Sequence, residues 1–279
     1  MYLVCDIGGT KTRLGISEST VELGHHLVID TPVSYEETLE AIAQFASQNL
    51  ASQELGAVVV GVAGPLDPQR EQLVRAPHLQ AWEGKPLKAD LQKRLNCQKV
   101  SLVNDTALVG LGEAVRGAGK NGKVVAYVTF STGVGGVRIT NGKIDDTQYG
   151  FEPGHQLISH DGRLAAWEDL VSGSGIAQRY GKSPSEIVDQ QIWEEVTRIA
   201  ALGLHNLIVS WSPDTVVLGG GLIISQKLKT DVLAAQQAEM LRIFPAPPLF
   251  ATATLGDLGG LQGGLAFLAD MLSSAADYS

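Results

Sequence analysis

The run Val100-Ser-Leu-Val-Asn104-Asp105-Thr106-Ala107 is apolar, ends in Asn-Asp and then opens a helical pattern. In an α/β sheet a carboxylate at the carboxyl end of a strand points toward the crevice where such sheets bind ligands, and Asp105 stands at such a position. By spacing alone it reads equally well as a helix N-cap. Two glycine turns bear on the choice. Gly8-Gly9-Thr10 joins the apolar runs of segment 3–16, and Thr132-Gly133-Val134-Gly135-Gly136 joins those of segment 125–139. Glycine lets backbone N–H groups approach a ligand closely, and a nest of such groups suits phosphate oxygens. One such unit is as readily an ordinary hairpin. Two of them, about half a chain apart, suggest a duplicated architecture with phosphate as the shared ligand. Glu152 and His155 in Phe151-Glu-Pro-Gly-His, and Glu168 in Ala166-Trp-Glu, add polar groups beside glycine and aromatic residues. A carboxylate can accept hydrogen bonds from two neighbouring hydroxyls, which is what a sugar ring presents. These further acids tip Asp105 toward chemistry.

Two other glycine-rich segments point elsewhere and do not hold up. Gly117-Ala-Gly-Lys-Asn-Gly122-Lys123 matches most of a P-loop, but Val124 stands where the magnesium-binding hydroxyl belongs and the glycines precede a strand instead of following one. Gly133-Val-Gly135-Gly-Val-Arg138 ends in arginine and lies between two strands, not between a strand and a helix, which disfavours NAD.

The elements that must position these residues alternate along the chain, as in an α/β protein. Strand patterns fall at 2–6, 12–16, 58–62, 100–103, 124–130, 136–139 and 215–218, and helix patterns at 36–51, 88–95, 107–117, 165–180, 186–210 and 228–240. Ser183-Pro-Ser185 before Glu186 reads as a helix entry, and 273–279 as a frayed tail. At 279 residues the chain has room for two modest lobes. A net charge of −9 without any basic block argues against nucleic acid or an anionic membrane, leaving a small ligand. Two cysteines are too few for a disulfide scaffold or a cysteine zinc site. Met1 leads straight into a strand without a signal peptide, and no segment reaches the roughly 20 apolar residues of a membrane span. A soluble, cytoplasmic protein is expected.

Read in order, these segments resemble the ROK family of bacterial sugar kinases and sugar-responsive repressors. Asp6-Ile-Gly-Gly-Thr-Lys11 is similar to the family's first phosphate turn, and Gly61-Val-Ala-Gly64-Pro-Leu-Asp67 to its sugar-side segment. Ala76-Pro-His-Leu79 with Trp82 is similar to the following Asn-Leu…Trp stretch, with His78 where asparagine is usual. Asn104-Asp105 matches the pair that holds the sugar and supplies the catalytic aspartate. Ser131-Thr132-Gly133-Val134-Gly135-Gly136 matches the second phosphate turn. Glu152…His155 matches the Glu-x-Gly-His sugar motif, Glu168 the glutamate that closes the sugar site, and Gly219-Gly220-Gly221 with Leu255-Gly-Asp-Leu-Gly-Gly-Leu the nucleotide lobe and the return to the first lobe.

The resemblance implies a two-lobed, actin-like ATPase (ribonuclease H-like) fold with a ligand cleft between lobes. Its lobes would be 1–106, completed by a C-terminal helix at 261–279, and 107–260. It implies ATP-dependent phosphorylation of a hexose or N-acetylhexosamine, glucokinase-like or N-acetylmannosamine kinase-like, with O6 as acceptor and Asp105 as base. Gly64, Asn104, Glu152, His155 and Glu168 would hold the sugar. Gly8, Gly9, Thr10, Lys11, Thr132, Gly133, Gly135 and Gly220 would serve the nucleotide, and Asp6 would reach its Mg²⁺ through water. Lys11 would neutralise phosphate, unless it is only a solvated turn lysine. A homodimer is the family's usual assembly. The chain departs from the pattern in one place that matters: most family members carry a C-x-C-G-x-x-G-C run that builds a zinc site with the histidine, and residues 156–167 here contain no cysteine. No structural zinc is expected, and packing around Trp167 must hold that loop instead. Two rival readings remain. One is a non-catalytic sugar sensor, although the family's N-terminal helix-turn-helix finds no room before Asp6. The other is an actin-like ATPase that assembles, which leaves Glu152, His155 and Glu168 unexplained.

Overall fold

The structure is a computed structural model and describes residues 1–76 and 79–276. Its strands are β1 (Tyr2–Ile7), β2 (Lys11–Ser17), β3 (His26–Asp30), β4 (Ala57–Val62), β5 (Val100–Asn104), β6 (Val124–Phe130), β7 (Val134–Thr140), β8 (Lys143–Ile144), β9 (Leu157–His160), β10 (Arg163–Ala166), β11 (Thr215–Gly219) and β12 (Leu249–Thr252). Its helices are α1 (Tyr35–Asn49), α2 (Leu87–Leu95), α3 (Asp105–Val115), α4 (Trp167–Val171), α5 (Gly173–Tyr180), α6 (Gln190–Trp211), α7 (Gly221–Ile224), α8 (Thr230–Met240) and α9 (Gly259–Ala276). Chain contacts divide these into two units: Met1–Arg116 with Asp146–Gly150 and Leu255–Ser279, and Gly117–Asp145 with Phe151–Thr254.

In the first unit the sheet order is β3-β2-β1-β4-β5, antiparallel through β3, β2 and β1 and parallel through β1, β4 and β5. Strand β4 reads Ala-Val-Val-Val-Gly-Val with every residue buried, as a strand covered on both faces must. Alternation sends Leu3, Cys5 and Ile7 with Val58, Val60 and Val62 into the core shared with Leu39, Ile42 and Leu91 of α1 and α2. The opposite side chains, Val4 and Val59, meet α9 at Gly264. Helices α3 and α9 approach so closely that a Cβ at Gly263 would lie 1.7 Å from the Leu108 carbonyl oxygen. That contact keeps α3 with the first sheet, so the first stretch of this unit runs to Arg116 where 106 was expected, and the returning segment begins at Leu255, ahead of the helix at Gly259. The strip Asp146–Gly150 also belongs here, its Thr147 carbonyl accepting from Arg70 at 3.4 Å.

The second unit repeats the pattern strand for strand. Its order is β12-β11-β6-β7-β8, with β8, β7 and β6 antiparallel and β6, β11 and β12 parallel. The helix α6 lays Val196, Ile199, Leu204 and Ile208 on a core with Phe130, Trp167, Val216 and Leu218. The single helix expected over 165–180 is two helices. Ser172 is extended at φ −80° and ψ 165°, ending α4, and its Oγ accepts from Gly175 N at 3.0 Å to start α5. Ala165 lies in β10 instead. The entry expected at Ser183–Glu186 is a local turn in which Ser183 N donates to Glu186 Oε2 at 2.9 Å, and α6 begins later, capped by Asp189. The edge strands β3, mostly exposed, and β12, mostly half-buried, escape the sequence pattern because neither has a clean apolar alternation. Residues 273–276, expected to fray, continue α9, while Pro77, His78 and 277–279 lie outside the described residues. Among the described residues no helix is long and apolar enough to cross a membrane.

Candidate functional site

In the first unit the register of the β1–β2 hairpin pairs Asp6 directly with Arg13. Arg13 Nη1 lies 3.5 Å from Asp6 Oδ2, and its Nη2 donates to Asp257 Oδ1 at 2.9 Å. The first turn of α9 lies over the same carboxylate, for a Cβ at Gly260 would be 2.5 Å from Asp6 Oδ2. Asp6 is 6% exposed. Its pKa is pushed up to about 7, first by burial and then by the charge of Asp105, with Arg13 opposing and Asp257 adding to the rise. Asp105 is therefore an electrostatic neighbour of Asp6.

Asp105 is the first residue of α3, and the N-cap is Asn104, whose Oδ1 accepts from Ala107 N at 3.0 Å. The capping alternative for Asp105 thus passes to its neighbour. Asp105 Oδ1 accepts from Thr106 N at 2.7 Å. Asn104 Nδ2 donates to the Gly64 carbonyl at 3.3 Å, tying the strand end to the Gly61–Asp67 segment. Gly64 has φ +122°, and a Cβ there would meet the Arg75 carbonyl oxygen at 2.7 Å, so only glycine fits. Asp67 is occupied in its own loop, accepting from Glu71 N at 2.7 Å. In the turn between β1 and β2, Gly8 N closes onto the Lys11 carbonyl at 3.0 Å, and Thr31 N donates to the Thr10 carbonyl at 2.9 Å. Gly9, Thr10 and Lys11 are exposed. Lys11 Nζ is paired with Asp30 Oδ1 on β3 at 2.6 Å, a surface pair of little energetic weight.

In the second unit the turn between β6 and β7 is Ser131-Thr132-Gly133. Ser131 N donates to the Gly133 carbonyl at 2.9 Å, and the Ser131 and Thr132 carbonyls accept from Gly173 N at 2.7 Å and Ser174 N at 3.1 Å. Gly135, expected in that turn, pairs with Thr129 inside the β6–β7 ladder, because β7 already starts at Val134. Gly220 follows β11 with φ +89° against the end of β6, where a Cβ would be 2.3 Å from the Phe130 carbonyl oxygen. The glycine turns after β6 and β11 are thus adjacent.

Glu168 is the second residue of α4 and reaches the same turn. Its Oε2 accepts from Val134 N at 3.3 Å, and its Oε1 stands 3.6 Å from His155 Nε2. His155 ends a 3-10 turn, Pro153–His155, whose entry is Glu152; the Glu152 carbonyl accepts from His155 N at 3.1 Å. Both Glu152 and His155 are exposed. The stretch without cysteines is the β9–β10 hairpin, turned at Asp161 and Gly162 with φ +50° and +72°. It leads into Trp167, which is fully buried, donates Nε1–H to the Ile199 carbonyl at 3.2 Å and meets Phe130 edge-on. This donor set offers no thiolate to zinc, and among the described residues no group of three or more His, Cys, Asp or Glu is arranged to hold a metal.

The structure brings Asp6, Asp105, Asn104 and Gly64 together in the first unit, and Thr132, Gly133, His155, Glu168 and Gly220 in the second. Arg13 and Asp257 were not anticipated. A signal for Arg13 existed, since a hairpin closing between Gly8 and Lys11 sets residues 6 and 13 opposite each other.

The chain is similar along its length to characterised proteins. It is 32% identical, over an alignment of 299 positions covering 94% of this chain and 97% of the other, to an N-acetyl-D-glucosamine kinase of Salmonella gallinarum. Its fold superposes on a ROK hexokinase from Thermus thermophilus with a TM-score of 0.81 at 25% identity, covering 97% of this chain and 99% of that one. A ROK family glucokinase from Streptomyces griseus, crystallised with glucose and AMPPNP, superposes with a TM-score of 0.75 at 26% identity, covering 95% and 98%. These are proteins of the actin-like ATPase fold, and the two matching five-stranded sheets show the same architecture here. With the ROK family model also matching residues 2–271, the chain belongs to the ROK family.

Proposed function

We propose that this ATP-dependent sugar kinase phosphorylates a hexose or an N-acetylhexosamine at O6, with Asp105 as general base. One observation carries the assignment: β5 delivers Asp105 to its carboxyl end, and Asn104 takes over the capping of α3. The N-cap of α3 is thus supplied by Asn104 and not by Asp105. Asp105 accepts the proton of the attacking hydroxyl, which sharpens the nucleophile as the phosphoryl group departs from ATP. Phosphoryl transfer needs mainly position and charge stabilisation. The N–H groups around Gly8–Lys11 and Thr132–Gly133, with the Gly220 turn, receive phosphate oxygens. Glu152, His155 and Glu168 hold ring hydroxyls, the carboxylates as acceptors and the imidazole as a partner in either direction. Asn104 fixes the Gly64 segment relative to Asp105.

A divalent cation carried with the nucleotide would neutralise charge developing on the phosphate oxygens. The residues fit it: Asp6 is buried beside a like charge that raises its pKa, and an added cation relieves that repulsion. Asp6 would hold such an ion through water, as small hard cations keep most of their hydration.

N-acetyl-D-glucosamine is the first acceptor to test, because a 32% identical relative bears that activity. Glucose, mannose, fructose and N-acetylmannosamine complete the panel, read as ADP release. Asp105→Asn should fold, still bind sugar and lose on the order of 10²-fold or more in kcat. Turnover close to wild type would remove Asp105 from the mechanism. Thermal stabilisation by a sugar without turnover by the wild-type chain would identify a binding protein instead.

A further inference from the structure

Glu168 sits on a helix that cannot hold itself. The helix α4 has five residues, Trp167–Val171, fewer than two turns, so its terminal carbonyls need partners from elsewhere. The backbone bond from Trp167 N to the Gln156 carbonyl, at 2.8 Å, fastens its start. At its far end Leu170 and Val171 are buried in the core, and Arg179 Nη1 donates to the Leu170 carbonyl at 2.7 Å. The other arm of that guanidinium, Nη2, lies 3.1 Å from His160 Nε2 at the end of β9 and pairs with Glu195 Oε1 on α6. The group also lies over the Tyr180 ring, 4.9 Å from its centroid. Arg179 is about four-fifths buried, at 20% side-chain exposure. A planar fork with fixed donors thereby joins the short helix, the hairpin and the long helix α6.

We infer that Arg179 is a positioning residue that sets the place of Glu168, and hence the affinity for the acceptor sugar, without touching either substrate. The inference rests on Glu168 being a sugar ligand as proposed above. A shift of about 1 Å in a binding group can cost far more than the contact that caused it. Arg179 lies in the last turn of α5 and is joined to α4, β9 and α6, whereas the glycine turn after β6 is docked on the opposite end of α5, through Gly173 and Ser174. Loss of the fork therefore falls on the sugar side.

Steady-state kinetics on the full chain test this. Arg179→Ala should raise the KM for the sugar about 10-fold or more and leave the KM for ATP within about 2-fold. Arg179→Lys, which keeps the charge but cannot span the acceptors, should fall between wild type and Arg179→Ala. In a Glu168→Ala background the Arg179→Ala effect on the sugar KM should shrink to about 2-fold or less, because no carboxylate remains to be placed. Sugar and ATP KM values rising together, or an undiminished effect of Arg179→Ala in the Glu168→Ala background, would overturn the positioning role. If Glu168→Ala alone leaves the sugar KM unchanged, the assignment of Glu168 fails and takes this inference with it. If Glu168→Ala alone raises it and Arg179→Ala does not, only the inference fails. Should Arg179→Ala not fold, Arg179→Lys carries the same cycle.

Discussion

Asp6→Asn should make the protein more stable above neutral pH while removing its activity. Burial and the neighbouring Asp105 push the Asp6 pKa from an ordinary 3.8 up to about 7. The native state therefore binds a proton that the unfolded chain has already released. A carboxyl whose folded pKa is raised favours folding least when it is ionised in both states, so stability is lost as pH rises from the unfolded value and levels off above about 7. A displacement of about 3 pKa units corresponds to roughly 4 kcal/mol once both states are ionised. At pH 5 about a third of that loss has occurred, so between pH 5 and 8 the wild type should lose about 2–3 kcal/mol relative to Asp6→Asn. The pair with Arg13 offsets part of the absolute gain, by about 1 kcal/mol, since Arg13 keeps Asp257 at 2.9 Å in the variant. Urea unfolding of both proteins, free of nucleotide and magnesium, at several pH values between 5 and 8 measures the difference directly, and taking the difference cancels the other titrating groups. A wild-type minus variant difference that stays flat across that range, or a variant less stable at pH 8, would show that Asp6 is not held against its own charge. The combination of greater stability and lost turnover marks a carboxylate kept for chemistry.

Two further substitutions test how the elements carrying the site are held. Gly263→Ala places a methyl 1.7 Å from the Leu108 carbonyl oxygen and 3.1 Å from Gly112 N. The gain of about 1 kcal/mol in helix propensity is outweighed by overpacking of two backbones, about 3 kcal/mol or more, so the denaturation midpoint should fall. Gly221→Ala, in open space at the start of α7, is the control and should stay within about 0.5 kcal/mol. Trp167→Ala should cost about 3–5 kcal/mol, because the side chain is fully buried and its indole N–H is bonded to Ile199. A loss below about 1 kcal/mol would mean that the segment carrying Glu168 is not organised around this residue.

How much of this was legible in the sequence depends on whether the information was local. The turn after β1 and the Asn-Asp pair at the end of β5 were readable because each is an apolar run broken by residues with one conformational purpose. Which residue of the pair caps α3 was not readable, since both can cap and spacing cannot say which one does; in the structure Ala107 N donates to Asn104. The break at Ser172 was present in the string Val171-Ser-Gly-Ser-Gly175, but the apolar spacing on both sides of it hid two helices as one. Gly135 looked like part of a glycine turn because composition does not reveal where a ladder begins, and the first pair, Phe130 with Val134, places it inside the sheet.

The grouping of α3 with the first sheet was beyond any local reading. Its cause is the close approach of Gly263 to Leu108, and those residues are 155 positions apart in the chain. The same contact has a consequence for the site. Asp105 opens α3, and Gly260, one turn before Gly263 on α9, covers the Asp6 carboxylate. The packing of the two helices therefore bears on both main causes of the raised Asp6 pKa, its burial under Gly260 first and the charge of Asp105 second. A substitution that separates the helices should lower the Asp6 pKa toward its ordinary value. Gly263→Ala should then flatten the pH dependence of stability described for Asp6 as well as reduce stability itself, and an unaltered pH dependence would mean that the two aspartates are placed by their strands alone.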